Sequence, residues 1–257
     1  MSEKKYYFIT GFPRSGSTLL SSILNQNPSC YSNISSSLIN LFEGIQFSGF
    51  RKDIISTTEN QAFDSYISVI NSYYNFTNKT NLFNTSRGWH AFIGLIPKLF
   101  QYTKFIVCVR DIPSILNSYE HYILTKNVAP TFVTINDFTN PWIRLDNLFK
   151  NFVAEHYDWW EYIYYSPELK KHCIFLDYDN LINDTENTIK NLYQQLNIQE
   201  FIHDFNNLKT IFNDNELELK NEGLHKVYKK VGKTPTKWIL PQGAVEKYTR
   251  KCFWKDY

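Results

Sequence analysis

The chain has 257 residues, with 43% hydrophobic and 17% aromatic side chains and a formal net charge of +2 at pH 7. This composition excludes a disordered protein, and the length favours one domain over residues 1–257. The small net charge excludes wholesale nucleic-acid binding, and no apolar run is long enough to span a bilayer. Four scattered cysteines without a C-x-x-C pair, and an N-terminus without a signal-peptide pattern, predict a cytoplasmic protein with no metal site.

A strand–loop–helix unit is predicted at residues 6–25. Tyr7-Phe8-Ile9 is typical of a buried strand, and the apolar spacing within residues 19–24 is typical of an amphipathic helix. The connecting loop has the spacing G-x4-G-x-[ST] of a phosphate-binding loop, with Ser17 at the place of the lysine that nucleotide hydrolases use. We expect its backbone and side chains to bind a phosphate group, the candidates being Pro13, Arg14, Ser15, Gly16, Ser17 and Thr18.

The middle of the chain alternates between predicted helices and strands. Residues 29–41 form a polar segment, and residues 59–74 have the spacing of a helix that lies on the surface. Residues 82–85 are a plausible second strand, and a helix is expected from Ser86 through Leu99. Glu43 is the only carboxylate between residues 4 and 52.

The clearest strand is predicted at residues 104–109, and it leads directly into Arg110. Asp111 is expected to cap the next helix, on which Ser114 and Ser118 share one face. An arginine at a strand end and hydroxyls on the adjoining helix predict a second anion site, separate from the loop. The simpler alternative is a pairing of Arg110 with Asp111.

The remaining pattern completes an α/β fold. We expect an aromatic helix over residues 145–165 whose rings belong to the core, a fourth strand at residues 173–176 and a helix from Asp184-Thr185. This order predicts one parallel sheet with helices on both faces and with ligands at the carboxyl ends of its strands. The last quarter is polar and contains a cluster of lysines, namely Lys226, Lys229, Lys230, Lys233 and Lys237.

The two anion motifs together resemble those of the P-loop sulfotransferases, which use 3′-phosphoadenosine 5′-phosphosulfate (PAPS). The motif most resembles that of the branch containing the tyrosylprotein sulfotransferases and their small bacterial and phage relatives. It consists of Pro13-Arg14-Ser15-Gly16-Ser17-Thr18, followed by Arg110 and Ser118. The resemblance implies that the loop holds the 5′-phosphosulfate and that Arg110 and Ser118 hold the 3′-phosphate. Weaker similarity to phage-type members covers residues 84–89, 204–207 and 223–226.

The chain departs from that family at three positions. Tyrosylprotein enzymes carry a catalytic glutamate soon after the first helix, whereas residues 29–41 contain no acid. Relatives often have a lysine where this chain has Thr85, and cytosolic members have a tryptophan where it has Leu19. The resemblance therefore supports the donor site better than it supports the catalytic base.

The expected reaction moves a sulfonate group from PAPS to a hydroxyl or amine acceptor and releases 3′-phosphoadenosine 5′-phosphate (PAP). Arg14 is expected to assist the leaving group and Arg87 to orient the sulfonate or an acidic acceptor. Lys230 is expected to close over the donor, the alternative being that the C-terminal lysines form a solvated basic tail. His90 and Glu43 are the candidates for the general base. The acceptor is a small molecule, a carbohydrate or a peptide, with no nucleic-acid partner, and the protein is a monomer or a homodimer.

Two alternatives remain open at the level of the sequence. Ile174-Phe175-Leu176-Asp177 resembles a strand that ends in a magnesium-binding carboxylate, which suggests a nucleotide-dependent kinase. The missing acid near residue 35 suggests a binding protein that kept the phosphate loop and lost catalysis.

Overall fold

The computed structural model of the chain describes residues 3–50, 58–126, 140–209, 225, 227–232 and 237–255. Its centre is a five-stranded sheet in the order β2-β3-β1-β4-β5, and all four pairings are parallel. The strands are β1 (Lys5–Gly11), β2 (Cys30–Ser32), β3 (Asn81–Thr85), β4 (Lys104–Val109) and β5 (Cys173–Asp177). The predicted α/β class with a parallel sheet is confirmed.

Helices cover both faces of this sheet because successive strand side chains point in opposite directions. Tyr7 and Ile9 of β1 face a core shared with α1 (Ser17–Leu24) and α10 (Thr185–Leu196), whereas Phe8 faces the larger core on the other side. The helices that contribute to this larger core are α2 (Leu38–Phe50), α3 (Glu59–Tyr73), α4 (Ile96–Leu99), α5 (Ile112–Lys126), α6 (Pro141–Leu148), α7 (Glu155–Tyr165) and α11 (Gln242–Tyr248). Two short helices flank β5, namely α8 (Pro167–Lys170) and α9 (Tyr178–Asn183). None of the described helices is both long and apolar enough to cross a membrane.

Strand β2 was not predicted, because its three residues lie in a polar segment. The Asn25 side chain, at the end of α1, accepts from the Ser32 N–H at 2.9 Å and donates to the Ser32 carbonyl. Parallel pairing with β3 supplies the remaining order. Cys30 is buried in the core, but three residues are too few to show the alternation by which a strand is recognised in a sequence.

The helix predicted from Ser86 to Leu99 is wrong as a continuous element. The structure has a 3₁₀ helix at Arg87–Phe92, capped by the Ser86 side chain, and then the separate helix α4. Pro97 has no N–H and is suited to the first turn of a helix, so a new helix begins here instead of an old one continuing.

The aromatic segment differs from the prediction in two ways. Asn140 caps α6, and a π-helical turn at Phe149–Ala154 separates α6 from α7. A π turn inserts extra backbone and rotates every later side chain about the helix axis. Trp159 and Tyr162, which we expected in the core, are therefore 46% and 61% exposed.

We predict that Gly11→Ala prevents stable folding, whereas Gly44→Ala does not. A Cβ at Gly11 would lie 2.1 Å from the Cys108 carbonyl oxygen, and the glycine has φ +112. The clash and the backbone strain together cost about 3 kcal/mol or more. A Cβ at Gly44, on α2, meets nothing within 4 Å, so alanine stabilises the helix by up to about 1 kcal/mol. Urea unfolding of both variants measures the difference, and similar midpoints would contradict the role of Gly11.

Candidate active site

The candidate site lies where the neighbouring strands β1 and β4 end. Gly11 pairs with Cys108 in the register of the two strands, and the Phe12 N–H donates to the Cys108 carbonyl at 2.8 Å. The loop therefore packs directly against β4 where it leaves the sheet. This close approach is possible only because Gly11 has no side chain.

The loop turns through two further residues with positive φ, Arg14 at 56° and Gly16 at 91°. Gly16 is the N-cap residue of α1 and gives it no side-chain cap, so the first N–H groups of the helix have no intrahelical acceptor. Ser15 is buried and its hydroxyl donates to the Phe12 carbonyl, and Pro13 has no N–H. The side chains of Pro13 and Ser15 therefore shape the loop, while Ser17 and Thr18 remain only partly buried.

The second motif is joined to the first. Asp111 caps α5 by accepting from the Ser114 N–H at 2.9 Å. Arg110 donates from Nη1 to the Arg14 carbonyl at 3.0 Å, and Arg14 donates from Nε to the Ser118 Oγ at 3.1 Å. The two anion motifs, which we expected to form separate pockets, are thus one continuous surface. We call the group Arg14, Arg110 and Ser118 the arginine bridge.

Positive charge is concentrated in the arginine bridge. Burial lowers the pKa of Arg14, the nearby Tyr119 raises it, and the charge of Arg110 lowers it further. The Nε of Arg110 is buried and has no hydrogen-bond acceptor among the described residues. No carboxylate in the described part of the chain pairs with Arg110, so the alternative pairing with Asp111 is not formed. Two adjacent guanidinium groups with an unused buried donor suit an anion with more than one negative charge.

Tyr178, at the start of α9, was not predicted as a site residue. The Cζ of Arg110 lies 4.2 Å from the centre of its ring, within cation–π distance. A Cβ at Gly16 would lie 2.8 Å from the Cδ2 of the same ring. Tyr178 therefore contacts both anion motifs at once. Its position directly after a strand end was the signal that could have identified it.

Asp177 is fixed by several donors at the end of β5. Its Oδ1 accepts from the Asp179 N–H at 2.8 Å, and its Oδ2 accepts from the Trp254 Nε1 at 2.6 Å and the Lys255 Nζ at 3.3 Å. The Trp254 ring also packs edge-on against Phe12, with ring centres 5.5 Å apart. The carboxylate that suggested a kinase therefore anchors the C-terminal segment beside the loop.

The turn that follows β3 forms another part of the candidate site. Thr10 donates to the Arg87 carbonyl at 3.2 Å, and the His90 Nδ1 lies 2.9 Å from the same carbonyl. Because a carbonyl only accepts, this hydrogen bond requires the proton on Nδ1, and in the neutral ring Nε2 then carries the lone pair. Glu43 is exposed on α2, and its Oε1 lies 3.7 Å from where a Cβ would stand at Gly88. His90 is thus bonded to the backbone of the exposed Arg87, and Glu43 lies next to Gly88, both in the turn after the strand that pairs with β1.

His156 and Trp159 of α7 pack against His90. The His90 ring centre is 5.8 Å from that of His156 and 5.6 Å from that of Trp159. Burial, with smaller effects from Arg87 and His90, lowers the pKa of His156 to about 4. His156 is therefore neutral near pH 7 and adds no charge beside Arg87.

Of the C-terminal lysine cluster, Lys230 was the residue expected to contact the donor. Lys230 is exposed and forms no hydrogen bond or ion pair with any described residue, and Lys226 and Lys233 lie outside the described residues. His225 lies over the loop instead, with its Nδ1 3.3 Å from the Thr18 Oγ1. No role for His225 was predicted from the sequence, because only the fold brings a residue so far along the chain to α1.

The chain belongs to the sulfotransferase family, since the sequence model of the family described as "Sulfotransferase family" matches residues 7–202. None of the curated protein sequences matches it.

Among solved structures, the sulfotransferase domain from the curacin biosynthetic pathway is 19% identical, over 78% of this chain and 76% of that one, with a TM-score of 0.50. The sulfotransferase domain of the Synechococcus PCC 7002 olefin synthase is 17% identical, over 86% and 85% of the two chains, with a TM-score of 0.47. A sulfotransferase from Alicyclobacillus acidocaldarius is 12% identical, over 78% and 84%, with a TM-score of 0.48. The curacin pathway domain shares the fold.

We predict that His156 makes the protein less stable in mild acid. The unfolded chain binds a proton at this histidine near its ordinary pKa of about 6.5, whereas the folded chain resists protonation until about pH 4. The contribution of His156 is therefore complete above about pH 6.5 and is lost as the pH falls towards 4. Urea unfolding at about pH 7.5 and about pH 5 should show a smaller acid loss for His156→Gln than for the parent. An equal loss in both proteins would contradict this assignment.

Proposed function

We propose that this member of the sulfotransferase family takes its sulfonate group from PAPS and passes it to a hydroxyl or amine of an acceptor, releasing PAP. The observation that carries the proposal is the arginine bridge, which joins the phosphate loop to the strand-end arginine within a few ångströms. Such a joined pair of motifs suits a single adenosine ligand that carries phosphates at both the 3′ and the 5′ position of its ribose.

The residues fit PAPS on two observations. The buried Nε of Arg110 has no acceptor in the described part of the chain, and a phosphate oxygen would supply one. The loop closes against Tyr178 at Gly16 without a side chain, which leaves the backbone N–H groups at the start of α1 open to an anion. PAPS supplies an activated sulfonate whose leaving group is the 5′-phosphate.

Each part of the bridge has a role in this proposal. The N–H groups of residues 14–18 and the Arg14 side chain bind the 5′-phosphate and offset the charge that develops on it. Ser118 accepts from Arg14, so its own proton is free for a phosphate oxygen. Arg110 binds the 3′-phosphate, which distinguishes PAPS from an ordinary nucleotide. Lys230 is proposed to approach the donor only when the donor is bound.

The acceptor proton goes to His90 or Glu43. In the neutral ring of His90 the Nε2 can accept this proton, because the Arg87 carbonyl fixes the ring's own proton on Nδ1. Glu43 offers a carboxylate next to Gly88. Arg87, in the same turn as His90, orients the sulfonate or an acidic group of the acceptor.

The placement of Asp177 supports sulfonate transfer over a kinase. Its two oxygens already accept from backbone N–H groups, an indole and an ammonium group, so magnesium binding would break these contacts. The binding-protein alternative makes a different prediction, namely PAP binding without transfer.

We predict that Arg110→Ala removes the preference of the protein for PAP over adenosine 5′-monophosphate. A charge-assisted hydrogen bond is worth about 1.5–3 kcal/mol, so PAP affinity should fall about ten- to hundredfold while the monophosphate affinity changes little. Titration calorimetry with both nucleotides measures the two affinities.

Two matched variants complete this experiment. Arg250→Ala removes an exposed arginine far along the chain and should keep the parent preference. Arg14→Ala should weaken both nucleotides and abolish transfer from ³⁵S-labelled PAPS. If Arg14→Ala and Arg110→Ala both bound PAP like the parent, the donor assignment would be wrong.

We predict that one of two variants, His90→Gln or Glu43→Gln, lowers the transfer rate by about a hundredfold or more without changing PAP affinity. General-base catalysis contributes about 10²–10⁴-fold, and neither side chain belongs to the arginine bridge. The assay is transfer from labelled PAPS to an acceptor fraction, with PAP calorimetry on the same samples. Near-parental rates in both variants would eliminate both residues as the base.

A further inference from the structure

The outer face of α7 carries a row of exposed aromatic rings. Trp159, Tyr162 and Tyr165 are 46%, 61% and 55% exposed. They are three residues apart, so they follow one side of the helix over about 9 Å at 1.5 Å per residue. The rings of Trp159 and Tyr162 also contact each other, with centres 6.4 Å apart at 83°. We call these three residues the aromatic row.

Polar groups accompany the aromatic row. A surface depression of about 580 Å³ is lined by two of its rings, two carboxylates and a hydroxyl, namely Tyr162, Tyr165, Asp158, Glu161 and Ser166. Hydroxyl-rich ligands of ring shape need this combination, because their C–H faces are apolar and their edges donate and accept hydrogen bonds. Glu161 already accepts from the Tyr157 hydroxyl at 3.1 Å, but a purely apolar ligand would displace the water on the remaining carboxylate oxygens without replacing its hydrogen bonds, and an anionic ligand would be repelled by them.

The aromatic row begins at the candidate active site. Trp159 packs on His90, whose Nδ1 is bonded to the Arg87 carbonyl, and that carbonyl also accepts from Thr10 just before the loop. From Trp159 the row leads away along α7 towards Tyr165. A ligand that reaches the site and extends beyond it would therefore lie on the rings.

We propose that the aromatic row is the acceptor subsite and that the acceptor is a neutral carbohydrate chain of at least two sugar units. The inference rests on the proposed function, since it places a sugar hydroxyl next to His90 and Arg87. The sugar faces stack on Trp159 and Tyr162, and Asp158 and Glu161 accept from sugar hydroxyls at the edge of the row. The acceptor oxygen bonds to sulfur as the bond from sulfur to the 5′-phosphate oxygen breaks, and the acceptor proton goes to the base.

The experiment measures binding of neutral hexasaccharides of glucose, mannose, galactose and N-acetylglucosamine to the full chain by titration calorimetry, with PAP present. We expect at least one hexasaccharide to bind, and both Trp159→Ala and Tyr162→Ala to weaken it at least tenfold. Tyr102→Ala removes a ring of similar exposure elsewhere, at 59%, and should leave the affinity unchanged. PAP affinity should be unchanged in all three variants, because no ring of the row belongs to the arginine bridge.

Two results would overturn the inference. One is that no hexasaccharide binds to a protein that binds PAP, which would leave the proposed function standing. The other is that the row binds only a copolymer of lysine and tyrosine, which would identify a peptide surface. Failure of the proposed function has a separate signature, because the parent protein would then not bind PAP at all.

Discussion

The site depends on two hydrogen bonds that cross between neighbouring strand ends. Arg110, after β4, holds the carbonyl of Arg14, and the Arg14 side chain holds Ser118 on α5. Neither bond forms unless the loop lies against β4, and the loop reaches that position only because Gly11 has no side chain to meet the Cys108 carbonyl. Backbone geometry at one glycine therefore decides whether the two cationic groups meet.

The arrangement also has an electrostatic cost. Arg14 and Arg110 repel each other, and burial makes the charge of Arg14 harder to keep, as its lowered pKa shows. The ring of Tyr178 offsets part of this cost by cation–π attraction to Arg110. The remainder is a reason for the pair to bind a multiply charged anion, and binding of such an anion stabilises the folded chain.

The sequence predicted the elements that carry strong periodicity or local chemistry. The strand at residues 104–109 and the Asp111 cap are confirmed. Both were predictable because the signals of a buried parallel strand and of an N-cap lie within a few consecutive residues. Contacts between distant segments were not predictable in this way. Tyr178, His225 and Trp254 reach the loop from later parts of the chain, and only the strand order brings them there. The short strand β2 was missed because three residues are too few to show a strand period, although Cys30 is buried in the core and hydrogen bonds from Asn25 help to hold the strand.

The aromatic segment shows how one local irregularity changes the chemistry of a surface. An uninterrupted helical period predicted core positions for Trp159 and Tyr162, but that period does not continue through the π turn at Phe149–Ala154. The same rotation keeps Trp160 buried against the sheet and brings Trp159 next to His90. Trp159 is 46% exposed and its ring centre lies 5.6 Å from that of His90, so the rotated helix places an apolar surface next to a candidate catalytic side chain. The π turn thus decides both which residues of α7 are buried in the core and which of its side chains lie next to His90.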